Sequence, residues 1–238
     1  MREEFSRTAL LVGEDGLRKL AAAKVAIFGV GGVGSFAVEA LARVGVGKLV
    51  LVDHDRVMKS NINRQIMALQ STVGRLKVEV LRERIHDINP LAIVETKAVF
   101  YSAATADDLL HPDYTYVLDA MDTVSAKVDL IVRCVRAHVP IISCMGAGNR
   151  LQAAGFRVTD ISDTEGCPLA RVVRREVRKR GVVSGVKVVF SPDPPLTPLP
   201  VLDPPTPGRR KVPGSISFVP PIAGLLMAGE CVRDILAK

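Results

Sequence analysis

The chain has 238 residues, of which 48% are hydrophobic and 24% are charged, and its net charge is +7. This length is enough to bury one large core. From the charged start, Met1 to Glu4, we expect no signal peptide. The few isolated cysteines are typical of a reducing compartment, so we expect a cytoplasmic protein. The positive charge indicates an anionic partner without naming it.

The first predicted elements form a nucleotide-binding unit. An apolar strand, Val25 to Phe28, is followed by a glycine-rich loop and an apolar-periodic helix. The glycines of the loop are Gly29, Gly31, Gly32 and Gly34. Glycines allow a tight turn, and the amide groups at the start of a helix then face an anionic phosphate. A second strand, Val46 to Val52, ends at Asp53, where an acid meets a ribose hydroxyl.

Which nucleotide is bound cannot be decided from the loop, because the glycines and Asp53 would suit NAD equally well. A polar cluster follows the second strand, at the sheet edge where ligands collect; its members are Ser60, Asn61, Asn63, Arg64 and Gln65. Lys77 then begins a helix that Asn89 ends. The planar fork of Arg64 and the point charge of Lys77 suit a triphosphate better than the NAD pyrophosphate, which favours ATP.

A further acidic group follows the fourth predicted strand, Tyr116 to Leu118. Asp122 comes just beyond this strand, in the run Asp119-Ala120-Met121-Asp122. A carboxylate at such a position can hold Mg²⁺, which bridges phosphate oxygens through one or two carboxylates. We therefore expect Asp122 to be a metal ligand.

The second half of the chain contains a basic helix. Proline at the start and glycine beyond the end predict a helix from Pro168 to Gly181. One face is apolar, and arginines recur at helical spacing on another; these are Arg171, Arg174, Arg175 and Arg178. Such a stripe either contacts the phosphates of a nucleic acid, with release of counterions, or forms a plain basic surface.

The remaining elements are a strand, Val186 to Phe190, a proline-rich segment, Ser191 to Gly214, and a helix, Ile222 to Ile235. The prolines exclude helix and central strand from this segment, which is either a flap ordered by the substrate or a linker. Arg209, Arg210 and Lys211 add positive charge to it. The last helix is too short and too interrupted for a confident membrane span; we expect it to pack on the core, with dimer contact as a second use.

Five motifs in fixed order resemble the adenylating enzymes of the ubiquitin-activating superfamily, which includes the molybdopterin and thiamine sulfur-carrier adenylyltransferases. They are GVGGVGS, LVDHD, SNINRQ, GRLK and LDAMD, within about the first 145 residues. The resemblance implies that Asp53 binds ribose and that Asp122 holds Mg²⁺. It assigns the triphosphate to Asn61, Arg64 and Lys77 and places Asp55 and Gln65 in the same ATP site. Arg7 resembles an arginine that reaches a neighbour's ATP across a dimer.

The rest of the chain resembles one particular branch of this superfamily. No two of the cysteines have zinc-ligand spacing. Four segments are similar to the tRNA threonylcarbamoyladenosine dehydratase family; they are Arg2 to Leu20, Gly146 to Arg150, Cys167 to Arg171 and Pro213 to Pro220. That resemblance implies ATP-dependent closure of the threonylcarbamoyl group of tRNA into a ring, in a homodimer. Sulfur-relay proteins are further candidate partners; DNA and membranes are not expected.

The predicted fold is α/β: a Rossmann-like, doubly wound, mostly parallel sheet with helices on both faces and a C-terminal elaboration. We expect one domain over residues 1–238, with a nucleotide-binding half, 1–150, and a half facing the tRNA, 151–238. Other functions stay open. The site would also suit an adenylyltransferase for a sulfur-carrier or ubiquitin-like protein, or an RNA-binding or sulfur-relay adaptor without turnover. An NAD dehydrogenase is a more distant alternative.

Overall fold

The computed structural model describes residues 2–199 and 213–238. Seven strands form one sheet in the order β3-β2-β1-β4-β5-β7-β6. The strands are β1 (Lys24–Phe28), β2 (Lys48–Val52), β3 (Ile93–Lys97), β4 (Tyr116–Asp119), β5 (Ile141–Cys144), β6 (Arg157–Asp160) and β7 (Lys187–Phe190). All neighbours are parallel except β6, which pairs antiparallel with β7 at one edge.

Helices cover both faces of this sheet. They are α1 (Ser6–Ala22), α2 (Gly34–Val44), α3 (Lys77–Ile88), α4 (Ala106–Leu109), α5 (Val124–Arg136), α6 (Pro168–Arg178) and α7 (Val219–Ala237). Side chains of α1, α2, α3 and α7 form one hydrophobic core, and side chains of α4, α5 and α6 form a second core on the opposite face. The predicted doubly wound α/β fold is confirmed.

The strand order reverses between β1 and β4, because β1 leads outward to β2 and β3 while β4 leads outward to β5. At such a switch point, the loops that follow neighbouring strands diverge and leave a crevice at the carboxyl edge of the sheet. The loops after β1, β2 and β4 carry the glycines, Asp53 and Asp122. The topology therefore brings these parts of the sequence to one edge.

Several element boundaries differ from the prediction by one to three residues, and two of these differences follow from local chemistry. The second strand begins at Lys48 rather than at Val46, because Gly45 ends α2 in a left-handed conformation and the amide of Val46 donates to the carbonyl of Leu41. The last helix begins at Val219 and therefore includes two prolines in its first turn. Proline is tolerated there because the first amides of a helix have no intrahelical acceptor.

The C-terminal region packs against the first half of the chain. Helix α7 packs on α2 and on the sheet, and it contributes buried side chains such as Met227 and Cys231 to the first core. Within the proline-rich segment, the described residues 191–199 and 213–214 form neither helix nor strand, as predicted. Arg209, Arg210 and Lys211 lie outside the described residues. No helix in the described ranges is long and apolar enough to cross a membrane.

Candidate functional site

A cavity of about 640 Å³ lies at the switch point, above the carboxyl ends of β1, β2, β4 and β5. One wall comes from the loops that the sequence assigned to the nucleotide. The opposite wall comes from residues 144–150 and 167–169 and from the two ends of the proline-rich segment. Most of the predicted site residues line this cavity; they are Gly29, Gly31, Gly32, Asp53, Asp55, Asn61, Arg64, Gln65, Lys77 and Asp122.

The glycine loop forms the floor of this cavity. Gly29 has a φ of +84°, a conformation that side-chain-bearing residues rarely adopt. Gly34 lies so close to Gly29 that an added Cβ would overlap the Gly29 carbonyl oxygen. Gly31 is different, because a Cβ there would meet only the Gln65 Nε2 atom at 3.8 Å. The protein therefore has room for a side chain at Gly31, and the same space can admit a ligand.

Asp53 connects the first two strand ends. Its Oδ2 atom accepts a hydrogen bond from the amide of Val30 at 2.9 Å, and its Oδ1 atom accepts one from the amide of Asp55 at 2.8 Å. Each carboxylate oxygen has a second lone pair. Asp53 can therefore hold the glycine loop in place and still accept hydrogen bonds from ribose hydroxyls.

Lys77 and Asp55 form an ion pair on the wall. The Lys77 side chain is 5% exposed, whereas that of Asp55 is 45% exposed, and Lys77 Nζ lies 2.6 Å from Asp55 Oδ2. The amide of Lys77 also donates to the carbonyl of Asp55 at 3.1 Å. A lysine ammonium has three donors, so this buried cation can bind an anion in the cavity as well as Asp55.

The polar cluster after β2 contributes a cation that has no acidic partner among the described residues. The half-buried Arg64 guanidinium donates from one nitrogen to the Ser60 carbonyl at 2.8 Å and to Asn63 Oδ1 at 2.9 Å. Burial lowers the pKa of Arg64 from its ordinary value, yet arginine stays charged in proteins. Its charge is therefore only partly hydrated and is not neutralised, which favours binding of an anion.

Two amide side chains lie beside Arg64. Asn61 is buried, and its Oδ1 atom accepts a hydrogen bond from the amide of Met58 at 3.0 Å, which fixes the start of the polar cluster. Gln65 is also buried, and its Oε1 atom has no hydrogen-bond partner within the described residues. A buried polar atom without a partner is costly. Gln65 therefore indicates that this wall is built for a ligand or for bound water.

Asp122 is exposed at the mouth of the cavity. Its only side-chain hydrogen bond within the described ranges comes from the hydroxyl of Thr123, at 3.4 Å from Oδ1. A second group of potential metal ligands, Asp53, His54 and Asp55, lies at the end of β2, but Lys77 already contacts Asp55. Asp122 therefore offers the less encumbered carboxylate.

The opposite wall holds the proline-rich segment by its two ends. Asn149 has a φ of +55°, and its Oδ1 atom accepts a hydrogen bond from the amide of Gly214 at 2.6 Å, while its carbonyl accepts one from Leu196 at 2.7 Å. Cys144 and Cys167 are buried on the same wall. Burial raises the pKa of Cys144 to about 12, so this thiol stays protonated at neutral pH and is a poor nucleophile.

The basic helix α6 begins at this wall and leads away from it. Val173 and Val177 are buried, while Arg171, Arg175 and Arg178 are exposed. Arg174 differs from the expected stripe because it is half-buried and its guanidinium donates to the carbonyl and the hydroxyl of Thr164. The exposed ridge therefore consists of three arginines rather than four.

Sequence reasoning missed one buried group beneath the cavity, which we call the buried triad: Asp119, Lys127 and Ser143. All three residues are 0% exposed. Asp119 Oδ2 lies 2.9 Å from Lys127 Nζ and accepts a hydrogen bond from the Ser143 hydroxyl at 2.6 Å. Lys127 could have been found, because helical spacing from Val124 and Ile131 places it on the apolar face of α5. The partners depend on strand register, which the sequence does not show.

Comparison with known proteins agrees with this architecture. A doubly wound sheet with a glycine loop and cations at its switch point is typical of nucleotide-binding proteins. The chain belongs to the ThiF family, whose family model matches residues 5–238. The resemblance of its motifs is thereby confirmed.

Within this family, the chain is similar to proteins of two kinds. The tRNA threonylcarbamoyladenosine dehydratase of Bacillus subtilis is 43% identical over 99% of this chain and 96% of its own. The molybdopterin-synthase adenylyltransferase of Escherichia coli is 36% identical over 72% of this chain and 67% of its own. The structure of the E. coli tRNA N6-threonylcarbamoyladenosine dehydratase in complex with ATP has a TM-score of 0.90 and 35% identity, and the match covers 100% of this chain and 95% of that one.

Proposed function

We propose that this protein is an ATP-dependent tRNA threonylcarbamoyladenosine dehydratase, which closes the threonylcarbamoyl group of tRNA into a ring. The observation that carries the proposal is the similarity to the B. subtilis enzyme of that name, which extends over almost the whole of both chains. The site supports it, since Arg64 and Lys77 bring two buried or half-buried cations to one cavity. A tRNA substrate would place the reaction in the cytosol.

ATP fits the cavity from the glycine loop to the polar cluster. The space at Gly31 would admit the close approach of a phosphate. Helix α2 begins at Gly34, just after this loop, and the start of a helix favours an anion. Asp53 would accept the ribose hydroxyls, with Asp55, Asn61 and Gln65 along the same wall. Arg64 and Lys77 would bind the triphosphate, because charged donors in a partly dehydrated site bind phosphate oxygens strongly.

Mg²⁺ fits Asp122. The carboxylate is exposed, it receives one long hydrogen bond from Thr123, and a hard cation prefers such oxygen ligands. When bound, Mg²⁺ would supply positive charge to the phosphate oxygens.

The chemistry follows from charge and leaving groups. A carboxylate oxygen of the threonylcarbamoyl group would attack the α-phosphorus of ATP; the bond to the β-phosphate would break and pyrophosphate would leave. A nucleophile within the same modification would then attack the activated carbonyl, and AMP would leave with the former carboxylate oxygen. Arg64 and Lys77 would stabilise the charge that develops on the phosphates. The second step is intramolecular and therefore gains from proximity, so no enzyme thiol is required.

The exposed ridge of α6 would contact the tRNA backbone. Changing Arg171 and Arg178 to Gln should weaken tRNA binding and reduce the salt slope of log K by roughly two units, scaled by the counterion fraction. Arg18 and Arg82 are a matched control, since they are exposed on other helices, α1 and α3, and their change to Gln removes the same charge. An equal loss in both double variants would mean that net charge alone guides the tRNA.

Arg7 would act in a homodimer. It is exposed on α1 and does not line the cavity of its own chain, so it can serve ATP only from a second copy. Mixing inactive Arg7→Ala with inactive Asp122→Ala protein should restore activity in heterodimers that hold one intact site. No recovery after subunit exchange would exclude a role across the interface.

The function is tested by mass spectrometry of nucleosides from threonylcarbamoylated tRNA that has been incubated with the protein, ATP and Mg²⁺. The modified nucleoside should lose the mass of one water, and Asp122→Ala should abolish this loss. If the nucleoside is unchanged and a sulfur-carrier protein is adenylated instead, the adenylyltransferase alternative is correct. Such a carrier or another sulfur-relay protein would then be the partner.

A further inference from the structure

The buried triad lies directly below the loop that carries Asp122. Asp119 ends β4 and is in register with Phe28 on β1 and with Ser143 on β5. Lys127 lies in the first turns of α5, and its ammonium also contacts the Ser143 hydroxyl at 3.2 Å. The triad therefore joins two strands and one helix at the carboxyl edge of the sheet.

The other oxygen of Asp119 holds the loop itself. Asp119 Oδ1 accepts a hydrogen bond from the amide of Met121 at 3.2 Å, while Oδ2 binds Lys127 and Ser143. One carboxylate thus fixes both the main chain just before Asp122 and the helix that begins just after it. The arc from Asp119 to Lys127 is held at both ends.

Asp122 has little to hold its own side chain. Its carboxylate receives only the 3.4 Å hydrogen bond from Thr123 within the described residues, so its position depends on the main chain of the arc. A fully buried ion pair contributes little net stability, because desolvation of both charges offsets their attraction, and apolar residues of similar volume can often replace it. Stability alone therefore does not account for the triad, whereas fixing the position of the arc does.

We propose that the buried triad positions Asp122 for its work on the nucleotide, and that Asp119, Lys127 and Ser143 are positioning residues of the site. The proposal rests on the proposed role of Asp122 in holding the metal of Mg-ATP. It is independent of tRNA chemistry, so it is tested by nucleotide binding rather than by ring closure.

The test is calorimetric binding of ATP with Mg²⁺ and with a chelator, in the full chain. The double variant Asp119→Asn with Lys127→Met removes both buried charges and keeps the side-chain volumes. Mg²⁺ should increase the affinity for ATP, and the double variant should reduce this increase by about tenfold, as Asp122→Asn should. The affinity for ATP without metal should stay within about twofold of the wild-type value. Adding Asp122→Asn to the double variant should cause no further loss, because both changes act on one contact.

A matched control separates positioning from general loss of stability. Tyr116 lies at the other end of β4, and its hydroxyl donates to Asp234 at 2.8 Å. Tyr116→Phe should lower the melting temperature and leave the gain from Mg²⁺ unchanged. If the double variant does not fold, Ser143→Ala decides, because it keeps both charges and should reduce the gain by about threefold.

Three results would overturn the proposal. The first is a folded double variant in which Mg²⁺ increases ATP affinity as much as it does in the wild type. If the double variant does not fold, the same result for Ser143→Ala counts instead. The second is an equal loss of affinity for ATP with and without Mg²⁺, which would indicate a distorted pocket. The third is an Asp122→Asn protein with an unchanged gain. None of these measurements involves tRNA, so a chain that shows the expected coupling but does not close the ring would contradict the proposed function alone.

Discussion

Two buried lysines lie near the nucleotide cavity, and each contacts an aspartate. Lys77 pairs with Asp55, whose side chain is 45% exposed, whereas Lys127 pairs with Asp119, and both of these side chains are 0% exposed. The first pair lines the cavity. The second pair has no access to it and is completed by Ser143.

The difference in the acid partner determines what each lysine can do. Water and a ligand can reach the Lys77 pair, so the Lys77 ammonium can donate hydrogen bonds to a phosphate in place of Asp55. The Lys127 pair is surrounded by protein, so its charges can only hold neighbouring elements in place. In the proposed site, the same two residue types would thus form a binding group and a positioning group.

The largest expected effect is on stability. Lys127→Ala should lower the free energy of unfolding by about 3–5 kcal/mol, because Asp119 would remain buried without its counter-charge. Urea denaturation followed by circular dichroism measures this loss. A change below about 1 kcal/mol would show that Asp119 does not depend on Lys127 in the fold and would remove the contrast between the two pairs.

The Lys77 pair should show the opposite response. Lys77→Gln should lower kcat/KM for pyrophosphate release by roughly 10²–10³-fold, because a charged donor to the transition state is lost. Its partner Asp55 is half-exposed and can be hydrated, so the loss of stability should stay near 1 kcal/mol. Arg75→Gln, which removes an exposed cation paired with Glu83, is the matched control and should change neither quantity. Loss of stability comparable to that of Lys127→Ala would place Lys77 among the structural residues.

The sequence predicts the Lys77 side of this comparison better than the Lys127 side. Lys77, Arg64 and Asp53 stand next to strand ends or helix starts, where the topology of a parallel sheet brings polar groups to one edge. Their approximate place follows from the motif alone. The Lys77–Asp55 contact does not, because it depends on how the polar cluster folds back between β2 and α3.

The triad and Arg174 show why the rest could not be predicted. Ser143 reaches Asp119 only through the register of β4 and β5, and Arg174 donates to Thr164 only because the loop before α6 folds back onto the helix. Helical spacing places both Lys127 and Arg174 on known faces but does not name their partners. Contacts that form only in the folded chain determine those partners.

The smallest expected effects concern the main chain and are those of two glycines in one loop. Gly34→Ala should destabilise the protein by about 1–3 kcal/mol, because the new Cβ overlaps the Gly29 carbonyl and the loop must move. Gly31→Ala should change stability by less than about 0.5 kcal/mol, as at an unstrained site, since its Cβ would lie 3.8 Å from the nearest atom, Gln65 Nε2.

For ATP binding, we expect the reverse order: Gly31→Ala should have the larger effect. The Gly31 methyl group would occupy space that the nucleotide needs, so ATP affinity should fall by about tenfold, or about 1.4 kcal/mol, in a protein whose melting temperature is unchanged. Thermal denaturation and calorimetric titration of both variants measure the two quantities side by side. If Gly31→Ala binds ATP as the wild type does, the phosphates do not pass over this part of the loop, and Arg64 and Lys77 must hold them further along the wall.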